Sequence, residues 1–165
     1  MVLVGRRAWR IVWSTEGLVA STAAQIMVAR GAQVATVAPG ASLRTAATAL
    51  TTRRIGALVV TDEVGMVVGI LSERDIVRRL SEAGADCLKL TVGEVMTGSV
   101  TTRHEDVTTD ELMQLMTDGR FRHVPITDVA GVLVGIVSVG DVVKSTIGVL
   151  EVEKAALSEY VSGGY

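Results

Sequence analysis

Residues 61–77 read TDEVGMVVGILSERDIV, and residues 127–143 read TDVAGVLVGIVSVGDVV. The two stretches agree at nine of 17 positions and stand 66 residues apart. Carried back at the same offset, residues 34–77 lie on 100–143 without a gap, and 13 of the 44 positions are identical. Chance gives only a few identities over that length, so the chain carries an internal repeat. Two copies are too few for an extended solenoid but enough for a closed pair about a pseudo-twofold axis. A site that recurs in both copies then lies between them.

Outward from that stretch, each copy resolves into the same elements. Residues 55–60 form a continuous apolar run ending at Thr61-Asp62, which reads as a buried strand. Gly65 is the turn glycine, residues 66–71 return as a second strand, and Ser72 opens a helix with Ile76, Val77 and Leu80 expected inward. Upstream, residues 34–37 make a short strand stopped by Pro39-Gly40, and Ser42 caps a helix with Ala46, Ala47, Ala49 and Leu50 on one side. In the second copy the matching elements are residues 99–102, 108–117, 121–127 and 132–137, then a helix from Ser138. Residues 91–96 form a short helical turn before it. Residues 19–30 have helical spacing at Ala23, Ile26 and Met27 and stop at Gly31, a helix-ending glycine. Residues 148–161 alternate Val149, Val152, Ala155 and Tyr160 with charged residues, the pattern of an amphipathic helix. The expected fold is mixed α/β, of α+β type: two β-α-β-β-α repeats packed as a pseudo-twofold pair, with extra N- and C-terminal helices. The expected divisions are a flexible arm over 1–18, a first repeat with its leading helix over 19–82, a linker over 83–98, a second repeat over 99–147 and a tail over 148–165.

Composition narrows the function. A repeat of about 50 residues alone buries a marginal core, so the halves are expected to share one. The net charge is −2, no basic stripe exists and Phe121 is the sole Phe, which argues against nucleic-acid binding. No apolar run approaches the length of a membrane span. A single cysteine, Cys87, rules out an internal disulfide framework and fits a reducing, cytoplasmic setting. Residues 1–17 carry Arg6, Arg7 and Arg10 but no apolar core of an export signal, so they read as a frayed arm or an overcalled start.

Three features could carry chemistry. Gly69-Ile-Leu-Ser72-Glu-Arg-Asp75 recurs as Gly135-Ile-Val-Ser138-Val-Gly-Asp141, each where a strand hands over to a helix. Serine there caps the helix, freed backbone N–H groups can hold an anion, and an acid one turn in can take two ribose hydroxyls. Ser-x-x-Asp is also a plain capping box, and duplication copies a cap as readily as a site. Arg120, Arg122 and His123 form a phosphate-competent cluster before a strand, against the reading of a solvated charged turn. The first copy keeps one of those arginines, in Arg54-Ile-Gly56-Ala57. Thr36 and Thr102 recur after the first strand of each copy, where a hydroxyl could meet a base or ribose, or merely end a strand.

These residues resemble a tandem pair of CBS domains, the modules first named from cystathionine β-synthase. The resemblance rests on the repeated unit, on Val34-x-Thr36-Val-x-Pro39, on Ile55-Gly56-Ala-Leu-Val-Val-x-Asp62, on the two Gly-x-x-Ser-x-x-Asp segments and on Arg122-His-Val-Pro-Ile126. It covers residues 25–147. It implies a free-standing bacterial-type regulatory module that binds an adenosine-containing ligand (AMP, ADP, ATP, NAD(H) or S-adenosylmethionine) in clefts between the copies. By the same resemblance Asp75 and Asp141 hold ribose hydroxyls, and Ser72 and Ser138 sit near ribose or phosphate. Val59, Pro125, Thr36 and Thr102 frame adenine, while Arg74, Arg122 and His123 meet phosphates. Gly140 stands where Arg74 does, and Gly56-Ala57 where Arg122-His123 do, so the clefts are expected to differ. The Asp75 cleft is favoured if Arg122 and His123 reach across to it. Family members pair as flat dimers through helices, here those from Ser72 and Ser138.

Catalysis needs a nucleophile with its base, a carboxylate pair or a metal set. His104 and His123 are the only histidines, and neither sits in a His-x-x-x-His or Cys-x-x-Cys pattern. Gly135 to Gly140 is one residue too long for a nucleophile elbow, and no phosphate-loop or dinucleotide glycine pattern occurs. The expectation is a binding module and not an enzyme, acting on an unknown effector protein in trans. Two alternatives stand beside it: an interaction module without a physiological ligand, and a stress sensor acting through NAD(H) or Cys87.

Overall fold

The structure, a computed structural model, describes residues 21–31 and 34–162. The arm expected over residues 1–18 lies outside them. In chain order the elements are α1 (Ala23–Arg30), β1 (Thr36–Val37), α2 (Leu43–Arg53), β2 (Ala57–Thr61), β3 (Val67–Ser72), α3 (Glu73–Ala83), a 3-10 segment (Gly84–Lys89), α4 (Val92–Val95), β4 (Arg103–His104), α5 (Thr109–Gly119), β5 (His123–Thr127), β6 (Leu133–Ser138) and α6 (Val139–Ser162). This is the mixed α/β fold, with the β-α-β-β-α unit present twice.

Each copy builds its own three-stranded sheet, β1-β2-β3 and β4-β5-β6. The first pair is parallel and the second antiparallel in both, and the registers repeat: Val37 pairs Val60, and Arg103 pairs Ile126. Even the irregularity repeats, at Val60/Thr61 and at Ile126/Thr127. The repeated Thr-Asp has a local cause. Asp62 Oδ1 accepts the N–H groups of Val64 and Met66, and Asp128 Oδ1 those of Ala130 and Val132, so each aspartate folds its own hairpin turn. Gly65 (φ 86°) and Gly131 (φ 84°) take the left-handed backbone those turns require. The edge strand of the second copy forms at Arg103–His104 and not at residues 99–102. Two ladder residues are too few to leave a periodic signal.

Two cores replace the single shared one expected from size. Leu43, Ala46, Leu50, Leu58, Val60 and Leu71 of the first copy close with Val92 and Val95 of α4. Leu112, Met116, Val124, Ile126, Val137 and Val142 of the second close with Ala23 and Ile26 of α1. The leading segments are thus exchanged: the helix before each copy completes the core of the other. Backbone bonds secure the exchange, from Ala23 N to Val107 O (2.9 Å) and from Val92 N to Ala41 O (2.8 Å). This crossing explains the repeated glycine at the heart of the β3 and β6 motifs. A Cβ on Gly69 would overlap the Met96 side chain beyond α4, and one on Gly135 would overlap Met27 of α1.

Three further expectations are revised. Of the α3 residues expected inward, Ile76 packs on the first core, but Val77 and Leu80 are 64% and 45% exposed. A helix touching the domain on one side covers only part of its apolar stripe. The tail is not a separate helix, because α6 runs unbroken from Val139 to Ser162 through Gly148, whose helical penalty of about 1 kcal/mol is tolerated. Cys87, in the linker expected over 83–98, is buried within a 3-10 segment.

Candidate functional site

Where β3 passes into α3, Ser72 takes an extended backbone (φ −111°, ψ 163°) and caps the helix. Asp75, one turn in, accepts from Ser72 N at 2.9 Å and Ser72 Oγ at 2.6 Å through Oδ2. Its Oδ1 accepts from Arg78 Nη2 at 3.0 Å. The second copy repeats the cap: Asp141 Oδ2 accepts from Ser138 N at 2.8 Å and Ser138 Oγ at 2.6 Å. The capping-box reading is therefore realised in both copies. It also restricts the expected N–H anion site. Glu73 N–H donates to Gly56 O and Val139 N–H to Arg122 O, while Asp75 N–H and Asp141 N–H donate to the capping serines. The first-turn donors are largely taken, so charge in this region comes from side chains.

A cleft of about 210 Å³ opens between the copies beside Asp75. The β3–α3 corner supplies Ile70, Ser72, Arg74 and Asp75, and the opposite wall is residues 120–123, the Arg-Phe-Arg-His turn before β5. The loop from Thr97 to Thr101 closes the remaining side. Arg122 and His123 thus reach the Asp75 cleft across the pseudo-twofold axis. Three guanidinium groups, one carboxylate and an apolar wall of Ile70 and Phe121 suit a ligand with phosphate, hydroxyl and flat apolar parts.

A second cleft, of about 490 Å³, is the repeat counterpart of the first. Ile136 and Ser138 replace Ile70 and Ser72, and residues 54–57 replace 120–123. Asp141 is not among its lining residues. Arg30, from α1, reaches over to Asp141 Oδ2 at 3.1 Å. His123 lines both clefts and stands close to Gly56, 3.5 Å from where a Cβ on that glycine would sit. Burial pushes the His123 pKa below its ordinary value of 6.5, and the Arg122 guanidinium adds to that, with Arg30 acting the same way and Asp141 and Glu73 against.

Of the residues expected from sequence, Ser72, Arg74, Asp75, Arg122 and His123 come together in the first cleft, and Ser138 lies in the second. Val59 and Pro125 are buried in the middles of β2 and β5, and Thr36 and Thr102 line neither cleft. Arg120 and Arg54 join the cleft-lining residues, and their signal in the sequence is that the pair is one of the thirteen repeat identities. Both sit at a helix C-terminus in left-handed backbone (φ 54° and 53°) and line the first and second clefts respectively. The Thr97–Thr101 loop and Arg30 carried no such signal.

The CBS domain sequence profile matches residues 21–82 and 92–148. The chain belongs to the CBS domain family. This CBS pair is 36% identical over 101 residues, 60% of the chain and 48% of the relative, to the mitochondrial CBS domain-containing protein CBSX3 of Arabidopsis thaliana. The chain spans about half the length of the curated relatives it matches. Its fold superposes on the crystal structure of ATU1752 from Agrobacterium tumefaciens with a TM-score of 0.73 at 44% identity, covering 76% of this chain and 99% of that one. It also superposes on the CBS pair of MJ0100, solved with 5'-methylthioadenosine and S-adenosyl-L-methionine, at a TM-score of 0.65 and 28% identity, covering 75% and 98%. No helix among the described residues of this CBS pair is long and apolar enough to cross a membrane. No cluster of His, Cys, Asp and Glu among them fits a metal ion.

Proposed function

We propose that this CBS pair is a cytoplasmic regulatory module that binds an adenosine-containing nucleotide in the Asp75 cleft and passes its occupancy to a partner protein. The observation that carries the reading is the meeting of Asp75 with Arg74, Arg120, Arg122 and His123 in one cavity between the copies. The Asp75 carboxylate takes the ribose hydroxyls, Ser72 supports it, and the arginines and His123 take the phosphates. The adenosine-derived ligands of the related MJ0100 pair support the same ligand class. AMP, ADP, ATP and NAD(H) all present that chemistry. The module acts by binding and not by turnover: a ligand wedged between the copies favours whichever arrangement binds it better. Signal passes through pairing of two chains, whose apolar surface is the exposed Val77, Leu80, Val143 and Ile147 of α3 and α6. The burial of Cys87 disfavours the reading of a thiol-based sensor.

A thermal-shift panel of AMP, ADP, ATP, NAD+, NADH and S-adenosylmethionine tests the reading. A ligand held only by the folded state adds about 2.7 kcal/mol at 100 times its Kd. Asp75→Asn is expected to weaken the selected ligand about tenfold or more. Arg122→Ala is expected to weaken ATP more than AMP. Unchanged affinity in Asp75→Asn removes Asp75 from the site, and no shift with any ligand makes the chain an interaction module.

A further inference from the structure

The second cleft differs from the first in charge and in what remains to meet a sugar. Arg30, Arg53, Arg54 and His123 line it, and no carboxylate does. Arg53 and Arg54 are exposed and have no carboxylate partner among the described residues. The nearby Glu73 carboxylate lies against Gly56 but does not enter the lining. Asp141, the counterpart of Asp75, lines a different cavity, with Arg30 and Lys144, and not this one. Its Oδ2 is held at once by Ser138 N, Ser138 Oγ and Arg30 Nη1, at 2.8, 2.6 and 3.1 Å. In the first copy the arginine on the aspartate, Arg78, comes from α3 itself and leaves Asp75 in the cleft wall. Arg54 occupies a left-handed position at the end of α2 where glycine would be unstrained, and lines the cleft from it.

We propose that the second cleft is a binding site for a compact phosphate-type polyanion and does not take a nucleoside. A guanidinium fork matches phosphate oxygens in pairs, and Arg53 and Arg54, which have no carboxylate partner among the described residues, concentrate anions there beside Arg30, which is bridged to Asp141. A ribose entering the same cavity meets no carboxylate for its hydroxyls. The inference goes beyond the nucleotide reading of the first cleft and does not depend on it. The phosphate can come as a free anion or, because His123 walls both clefts, as the terminal phosphates of a nucleotide seated in the first.

Calorimetric titration of the full chain with pyrophosphate tests the site. The wild type is expected to bind. Arg53→Ala/Arg54→Ala, which alters exposed residues, is expected to bind about tenfold more weakly or worse. Asp75→Asn is expected to bind pyrophosphate as the wild type does, and saturating adenosine is expected to leave it in place. Absence of binding to the wild type, equal affinity in the double arginine variant, loss in Asp75→Asn, or displacement by adenosine would each overturn the proposal. Displacement by ATP but not by AMP assigns the anion to nucleotide phosphates, whereas joint binding of ATP and pyrophosphate assigns a free anion. Both results keep the polyanion site.

Discussion

His123 joins the two clefts in one side chain, and its ionisation ties them to pH. Its pKa is depressed chiefly by burial and then by Arg122. Between that depressed value and 6.5, the unfolded chain holds more protons at this residue than the folded one. The folded state therefore gains stability as pH rises through this window and loses it as pH falls. His123→Asn is expected to flatten the pH dependence of Tm below the ordinary histidine value of 6.5; an unaltered slope would assign that dependence to other groups. An anion in either cleft favours the imidazolium, so phosphate-bearing ligands are expected to bind more tightly as pH falls through the same range. Adenosine is not expected to follow, and parallel titrations at pH 5.5 and 7.5 compare the two. The histidine was legible in the sequence as part of a basic cluster. Its position between two cavities was not, because Gly56 and the β3–α3 corner that surround it come from the other copy.

At the scale of elements, caps and turns follow from residues three or four apart. Thr22, Ser72 and Thr108 each make a reciprocal box with the residue three positions on. Such patterns read directly from sequence. Which side of a helix is covered does not, and α3 shows why. Ile76, Val77 and Leu80 form one apolar stripe, yet only Ile76 meets the core. Val143, Ile147 and Leu150 of α6 are likewise uncovered, 45%, 50% and 56% exposed. Val77→Asp/Leu80→Asp is expected to shift a dimer to monomer in light scattering while leaving the monomer's core intact. A dimer that survives both charges would place the pairing surface elsewhere.

At the scale of the whole molecule, the exchanged leading helices make the two copies mutually dependent. Ile26, 7% exposed, lies in the chain before the first copy but packs with Leu112, Val124 and Val137 of the second. Ile26→Ala is expected to cost about 2–4 kcal/mol. Its effect on amide exchange is expected in β5, β6 and α5 and not in β2 and β3. Greater exposure of β2 and β3 would contradict the exchange.

The sequence by itself determined the repeat, the order and type of the elements, the turn glycines, the helix caps and the family resemblance. All of these are written in periodicity, in residues a few positions apart, or in the offset of 66. The tertiary structure alone decided which helix completes which core, which aspartate lines the cleft between the copies and which arginine holds each. Those outcomes rest on contacts such as Arg30 with Asp141, 111 residues apart, and Met27 over Gly135. Packing two units of the same fold about an axis brings such residues together, and no local pattern in either unit encodes the meeting.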